Sequence, residues 1–201
     1  WKQWDSSNTS LLAGSTSRSY SFVMPSGNVT LTATSTVTTY KLSYSANGGT
    51  GAPADQAGAT NYLISSTRPT RAGYNFAGWS KSSGATSASY QPEDNIALSG
   101  DTTLYAVWSQ YLISSGSNLS TSVSYAGQIY WYKFTPSSSG TYVMYSTGDA
   151  DAYGYIYNAS GSELSNNDDG GDNRSFRLVY NLSSGTTYYY GVKYYSSSNT
   201  G

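Results

Sequence analysis

Large apolar side chains alternate with small or polar ones in two stretches of the central part of the chain, and each stretch ends on a tryptophan. The first reads RPTRAGYNFAGW over 68–79, and the second reads GDTTLYAVW over 100–108. In the second, Leu104, Ala106 and Trp108 share one face of an extended strand, and the residues between them share the other. About twenty polar residues without helical spacing separate the stretches. The pattern predicts two β-strands, the second partly covered on both faces.

The segment before and within the first stretch adds further strand and turn signals. Residues 40–44 alternate as YKLSY, and the NGG sequence at 47–49 offers the positive φ angles of a turn. Gly78, inside the first tryptophan stretch, predicts a bend in that strand. The run NYLISST at 61–67 is too short for its periodicity to decide, so it is either a short helix or a strand.

The N-terminal part of the chain carries a hairpin pattern. Two alternating runs are joined by a Pro-Ser-Gly turn at residues 25–27: Tyr20, Phe22 and Met24, then Val29, Leu31 and Ala33. Such a strand pair belongs either to a repeated module or to a single larger sheet domain.

An internal repeat favours the module. The run GNVTLTATSTVTTY at 27–40 resembles GDTTLYAVWSQYLI at 100–113, so that Gly27 corresponds to Gly100 and Ala33 to Ala106. Trp4 then corresponds to Trp79, with a small difference in loop length. A repeated supersecondary unit is typical of a tandem array.

Three ordered motifs in the central part of the chain resemble the Listeria–Bacteroides repeat, the B-repeat family of internalin-like bacterial surface proteins. They are YKLSYSANGGTG, RPTRAGYNFAGW and DTTLYAVW. The resemblance implies a β-grasp-like extracellular module, used in tandem as a spacer or adhesive segment, without catalysis. We therefore expect a complete B-repeat at 39–109 and the C-terminal half of a divergent B-repeat at 1–38.

The pattern changes after Trp108, where short strands recur at regular spacing. Turn sequences separate the predicted strands, as in an antiparallel sandwich: 129–134, 140–146, 153–157, 175–180 and 187–194. Four motifs here resemble the bacterial pre-peptidase C-terminal domain: WYKFTPSSSGTY, YGYIYNASGSEL, NNDDGGDNRSF and LSSGTTYYYGV. The resemblance implies a jelly-roll-like sandwich at 110–201 that lacks its last strand. Some members of that family hold calcium and some bind polymeric ligands.

Composition narrows the classes of partner. Charged residues make up 10% of the chain and the net charge is −1, so attraction to nucleic acid or to an acidic membrane surface is not expected. No apolar run is long enough for membrane insertion. The chain has no Cys and no His, which removes disulfides, a thiol nucleophile and the usual general base. Its 22 Tyr and 5 Trp carry much of the apolar surface instead.

The densest acidic group is a candidate calcium site. Carboxylate and backbone oxygens on glycine-rich loops suit Ca²⁺, which takes about six to eight oxygen ligands. An EF-hand is excluded because Ser160 stands where the bidentate Glu is required. Solvated turn acids are the alternative. The candidate ligands are Asp149, Asp151, Asp168, Asp169 and Asp172.

A second candidate site is an aromatic platform. Alternate strand positions share a face, so several tyrosine rings are expected on a solvent-facing surface where they could stack on sugars. Outward tyrosines that only favour strand formation are the alternative, and Trp131 is expected in the sandwich core. The candidate platform residues are Tyr130, Tyr132, Tyr153, Tyr155, Tyr157, Tyr189 and Tyr194.

Catalysis is not expected. No serine occupies the SxxK position before Lys41, Lys81, Lys133 or Lys193, and a glycine loop holds neighbouring acids poorly for paired carboxylate chemistry. The sequence predicts an all-β, non-catalytic segment of a secreted or wall-attached bacterial protein that spaces, displays or attaches neighbouring domains of a larger chain. A polysaccharide-binding accessory module and the accessory tail of a secreted hydrolase are the alternatives. The expected partner is a polysaccharide or a host surface glycoprotein.

Overall fold

The protein is all-β, as predicted. The computed structural model describes residues 3–6, 16, 19, 21, 23 and 26–201, and this part of the chain contains strands and turns but no helix. The stretch at 61–67, for which a helix and a strand were both open, begins with a strand at Asn61–Leu63.

The first two strands form a separate antiparallel pair. They are β1 (Gln3–Ser6) and β2 (Leu31–Thr34), and Trp4 pairs with Ala33. The predicted hairpin arm with Tyr20, Phe22 and Met24 lies outside the described residues.

The central module consists of a four-stranded sheet and a two-stranded sheet packed against it. The larger sheet has the order β4-β3-β8-β6 with β3 and β8 parallel, and the smaller one pairs β5 with β7. The strands are β3 (Tyr40–Ser45), β4 (Gln56–Ala59), β5 (Asn61–Leu63), β6 (Asn75–Ser80), β7 (Asn95–Ala97) and β8 (Thr102–Ser109).

Trp79 fills the core between these two sheets. Its side chain is fully buried, and its ring meets the rings of Tyr44 and Phe76 edge-on, with centroids 5.1 and 5.2 Å away. The predicted bend lies just before it, where a bulge interrupts the β6–β8 pairing and Gly78 has φ +126°. A Cβ on Gly78 would lie 2.6 Å from the Tyr90 carbonyl oxygen. The bend thus depends on glycine.

The internal repeat is visible in the strand register. Trp79 of β6 pairs with Ala106 of β8, as Trp4 of β1 pairs with Ala33 of β2. The two alanines occupy the same place in the two repeated runs. The same sequence pattern therefore produces the same antiparallel pairing twice.

The C-terminal module is a sandwich of a five-stranded sheet, in the order β13-β12-β15-β10-β9, and a two-stranded sheet of β11 and β14. Its core lies between the two sheets and includes Phe134, Ile156, Phe176 and Tyr190. The strands are β9 (Tyr111–Ile113), β10 (Tyr130–Phe134), β11 (Gly140–Tyr145), β12 (Ala152–Asn158), β13 (Glu163–Asn167), β14 (Arg177–Leu182) and β15 (Tyr188–Tyr194).

The sandwich differs from the predicted one in two strands. β9 and β13 were not predicted. β9 also pairs with β10 in parallel, so the sandwich is not purely antiparallel. β9 reaches the edge of this sheet because the chain continues into it directly from β8 through Gln110.

Candidate functional site

Three tyrosines lie in a row on the outer face of the five-stranded sheet. In β12, the intervening Ala152, Gly154 and Ile156 are buried. The three tyrosines between these buried residues point to the other face of the strand, and their rings are partly exposed. We call these three residues, Tyr153, Tyr155 and Tyr157, the tyrosine row.

The rings of the row are in mutual contact. The centroids of Tyr153 and Tyr155 are 4.7 Å apart, and those of Tyr155 and Tyr157 are 6.1 Å apart. Tyr195, which is 55% exposed, extends the row by stacking on Tyr153 at 6.3 Å. Lys193 Nζ lies 5.3 Å from the Tyr153 centroid and 5.8 Å from that of Tyr155. The result is a continuous aromatic surface with one positive charge.

The edge strand β13 gives the row a polar border. The Tyr153 hydroxyl donates to Asn166 Oδ1 over 2.7 Å, and the Tyr157 hydroxyl donates to Glu163 Oε2 over 2.8 Å. Partial burial is the main cause, and the hydrogen bond to the Glu163 carboxylate the second, of an increase in the pKa of Tyr157 to about 12. The phenol therefore stays neutral at physiological pH and holds its donated hydrogen bond.

The other four predicted platform residues do not join the row. Tyr130 and Tyr132 alternate in β10 with outward-facing residues and share the inner face with the core residue Phe134. Tyr194 pairs with the buried Ala152 on that inner face. Tyr189 faces outward, but it is only 8% exposed because the central module covers it.

Trp131 is buried, as expected, but on the outer face of the sheet. It is 7% exposed, and a Cβ on Gly191 would lie 3.0 Å from its ring. The ring meets that of Tyr157 edge-on with centroids 5.0 Å apart. Trp131 therefore supports the end of the tyrosine row and does not fill the sandwich core.

The candidate calcium ligands do not converge. Within the part of the chain that the structure describes, no three His, Cys, Asp or Glu side chains form a group that could hold a metal ion. The Asp151 carboxylate lies 3.8 Å from Arg174, and Asp168 Oδ1 accepts the Asp169 backbone N–H. Asp149, Asp169 and Asp172 are exposed. Calcium binding by these residues stays a prediction.

The two modules meet at a joint built around Asn75. Only Gln110 separates β8, in the first sheet, from β9, in the second. Beside this connection, Asn75 Nδ2 donates to the Trp131 carbonyl over 2.8 Å, and Asn75 Oδ1 accepts the Trp131 N–H over 2.9 Å. Asn75 is 7% exposed. β9 pairs with β10 only from Tyr132 onward, so the Asn75 side chain takes the place of a strand neighbour at Trp131.

A close aromatic contact completes this module joint, which we define as Gly73, Asn75, Gln110, Trp131 and Tyr189. A Cβ on Gly73 would lie 2.6 Å from ring atoms of Tyr189, so the ring packs directly on the Gly73 backbone. Gln110 Nε2 donates to the Gly73 carbonyl and the Tyr189 hydroxyl, each over 3.4 Å. Hydrogen bonds and direct packing therefore hold the two modules together next to Gln110.

Comparison with known families accounts for the first half of the chain. A family model of the Listeria-Bacteroides repeat domain matches residues 40–107, and one of the divergent InlB B-repeat domain matches residues 1–38. Residues 40–107 are a Listeria-Bacteroides repeat domain. The repeat domain and the divergent B-repeat before it form the expected tandem. Comparisons with curated proteins and with solved structures found no match.

Repeat domains of this kind occur in bacterial surface and secreted proteins and are usually non-catalytic. Among the described residues, no helix has the length and apolar character that a membrane span requires. Neither family model reaches past residue 107, so the likeness of residues 110–201 to a pre-peptidase C-terminal domain stays a prediction, as do the boundaries at 38 and 109.

The module joint was not predicted from the sequence, which placed Trp131 in the sandwich core and Tyr189 in the aromatic platform. Asn75 is a polar residue between two aromatic ones at the start of a buried strand, and that is the one local signal of its role. Its partner Trp131 is 56 residues away, so the pairing is not visible in either segment alone.

Proposed function

We propose that this chain is a non-catalytic segment of an extracellular bacterial protein that holds its neighbouring domains at a fixed separation. The observation that carries the proposal is the module joint. The one-residue connection between β8 and β9 leaves little freedom, and the two hydrogen bonds of Asn75 oppose bending there. Flexible linkers between domains are usually longer and rich in polar or small residues.

A distance measurement between spin labels tests this proposal. Because the chain has no cysteine, Ser99→Cys and Ser115→Cys place labels only before β8 and after β9, at two exposed positions. We expect one narrow distribution of label distances, and a broader one when Asn75→Ala is added. A label pair within the C-terminal module, Ser115→Cys with Ser160→Cys, reports the width that loop motion alone produces. A broad distribution across the joint in the otherwise unchanged chain would contradict a fixed spacer.

A second candidate function is binding of a polysaccharide, favoured by the tyrosine row. Three neighbouring rings with amide, carboxylate and ammonium groups at their border can contact both the C–H faces and the hydroxyls of sugars. This version makes the chain an adhesive segment as well as a spacer.

Replacement of one ring tests the second candidate. Tyr155→Ala is expected to weaken retention of the protein on immobilised neutral glucans and xylans about three- to tenfold, the loss of about 0.5–1.5 kcal/mol of ring contact. Tyr145, 63% exposed on the other sheet, provides the matched control Tyr145→Ala. Equal retention of both variants on every glycan would exclude the tyrosine row as a platform.

A further inference from the structure

A cleft of about 440 Å³ lies where the repeat domain meets the C-terminal module, beside the joint and away from the tyrosine row. Residues of both modules form its walls. Its volume is within the range of small-ligand sites, about 300–1,000 Å³, and contacts between domains are a common place for such sites. The cleft exists only when the two modules are docked.

Four aromatic side chains line this cleft. Tyr74, Phe76 and Trp108 come from the repeat domain, and Tyr125 comes from the C-terminal module. All four side chains are partly exposed. Hydroxyl and amide side chains, among them those of Ser66 and Gln128, also line the cleft. Rings beside hydroxyl and amide groups suit a ligand that is apolar on its faces and polar at its edge.

The charge in the cleft is positive. Arg68 is the one charged residue among those that line it, and its guanidinium lies 4.4 Å from the centroid of Tyr125. Arg71, next to the lining residue Thr70, stacks on Tyr74 at 3.8 Å. Among the described residues, neither guanidinium has a carboxylate within salt-bridge distance. Arg68 Nη1 also donates to the Ser66 carbonyl over 3.1 Å. Stacking on a ring keeps each guanidinium in place, and the other N–H groups of Arg68 stay available as donors.

We propose that this cleft binds an anionic sugar unit of an acidic polysaccharide. The sugar ring packs on the aromatic walls, its carboxylate or sulfate accepts hydrogen bonds from Arg68, and its hydroxyls meet the polar lining residues. A planar guanidinium binds such an anion in a two-point contact, which a sugar without charge cannot make. The site goes beyond the spacer role, and its failure would leave that role intact.

Binding of three polymers to the whole chain tests the cleft. The probes are polygalacturonate, dextran sulfate and neutral dextran, measured by affinity electrophoresis at low and moderate salt. We expect binding to one or both anionic polymers and none to neutral dextran through this site. Arg68→Gln is expected to weaken that binding about tenfold, because one charge-assisted contact is lost. The polymer that responds identifies the anion as carboxylate or sulfate.

Arg177→Gln is the matched control, since it removes the same charge from an exposed position on β14, outside the cleft. Equal losses for the two variants would mean long-range attraction and would overturn the cleft as the site. Absence of binding to both anionic polymers would also overturn it. If Arg68→Gln fails to fold, Tyr125→Ala decides in its place. Binding unchanged by Tyr125→Ala contradicts the proposal, and a loss with the fold retained supports it.

Discussion

Replacement of Asn75 by alanine is expected to lower the free energy of unfolding by about 1–3 kcal/mol for each of the two groups of Trp131 that it leaves without a partner. The amide of Asn75 satisfies both the N–H and the carbonyl of that residue, at 2.9 and 2.8 Å. Water has little access as a substitute, since Asn75 and Trp131 are both 7% exposed. In the variant, the N–H and the carbonyl of Trp131 stay buried without a hydrogen bond that offsets the free energy of their removal from water.

Urea denaturation followed by tryptophan fluorescence measures this effect. Asn61→Ala is the control, because Asn61 is exposed on β5 and its side chain bonds only the neighbouring Thr60 hydroxyl at 3.3 Å. We expect the control to change stability by no more than about 0.5 kcal/mol. Asn75→Asp separates the two bonds, since a carboxylate accepts the Trp131 N–H but repels its carbonyl. An Asn75→Ala protein as stable as the control would mean that the two hydrogen bonds of Asn75 contribute nothing to stability.

Alternation in the sequence predicts strands well where one face is buried and the other is not. It locates the strands around Trp79 and Trp108, and five of the seven strands of the C-terminal module, because burial of one face requires apolar residues at every second position. β13 carries the sequence ELSNN and lies at the edge of its sheet, bonded to β12. Its side chains carry little apolar signal, and the strand was therefore missed.

The candidate sites show a different limit of the sequence. Alternation correctly places Tyr153, Tyr155 and Tyr157 on one face, but it does not tell which face of a strand another element covers. Tyr189 shares the outer face and is nevertheless buried, because Gly73 and Tyr74 pack on it from the other module. Contacts of this kind join residues far apart along the chain. Neither segment shows such a contact on its own.

Replacement of Gly73 by alanine is expected to separate the modules or to shift their contact, because two unfavourable effects add. Gly73 has φ +78°, a conformation that costs a residue with a Cβ about 1–3 kcal/mol. The new methyl group would also lie 2.6 Å from ring atoms of Tyr189, and crowding of a packed contact costs about 1–3 kcal/mol more. The loss of stability is therefore expected to exceed that of either effect alone.

Gly51→Ala isolates the second effect. Gly51 has φ +76°, almost the angle of Gly73, but a Cβ there meets no atom within 4 Å. Urea denaturation should therefore show a larger loss for Gly73→Ala than for Gly51→Ala, and the difference measures the crowding by Tyr189. In a Tyr189→Ala background the ring is absent, so Gly73→Ala should cost no more than Gly51→Ala does. Equal losses for the two glycine variants in the unchanged background would mean that Tyr189 does not pack on Gly73, and that the module joint depends on the hydrogen bonds of Asn75 and on Gln110 alone.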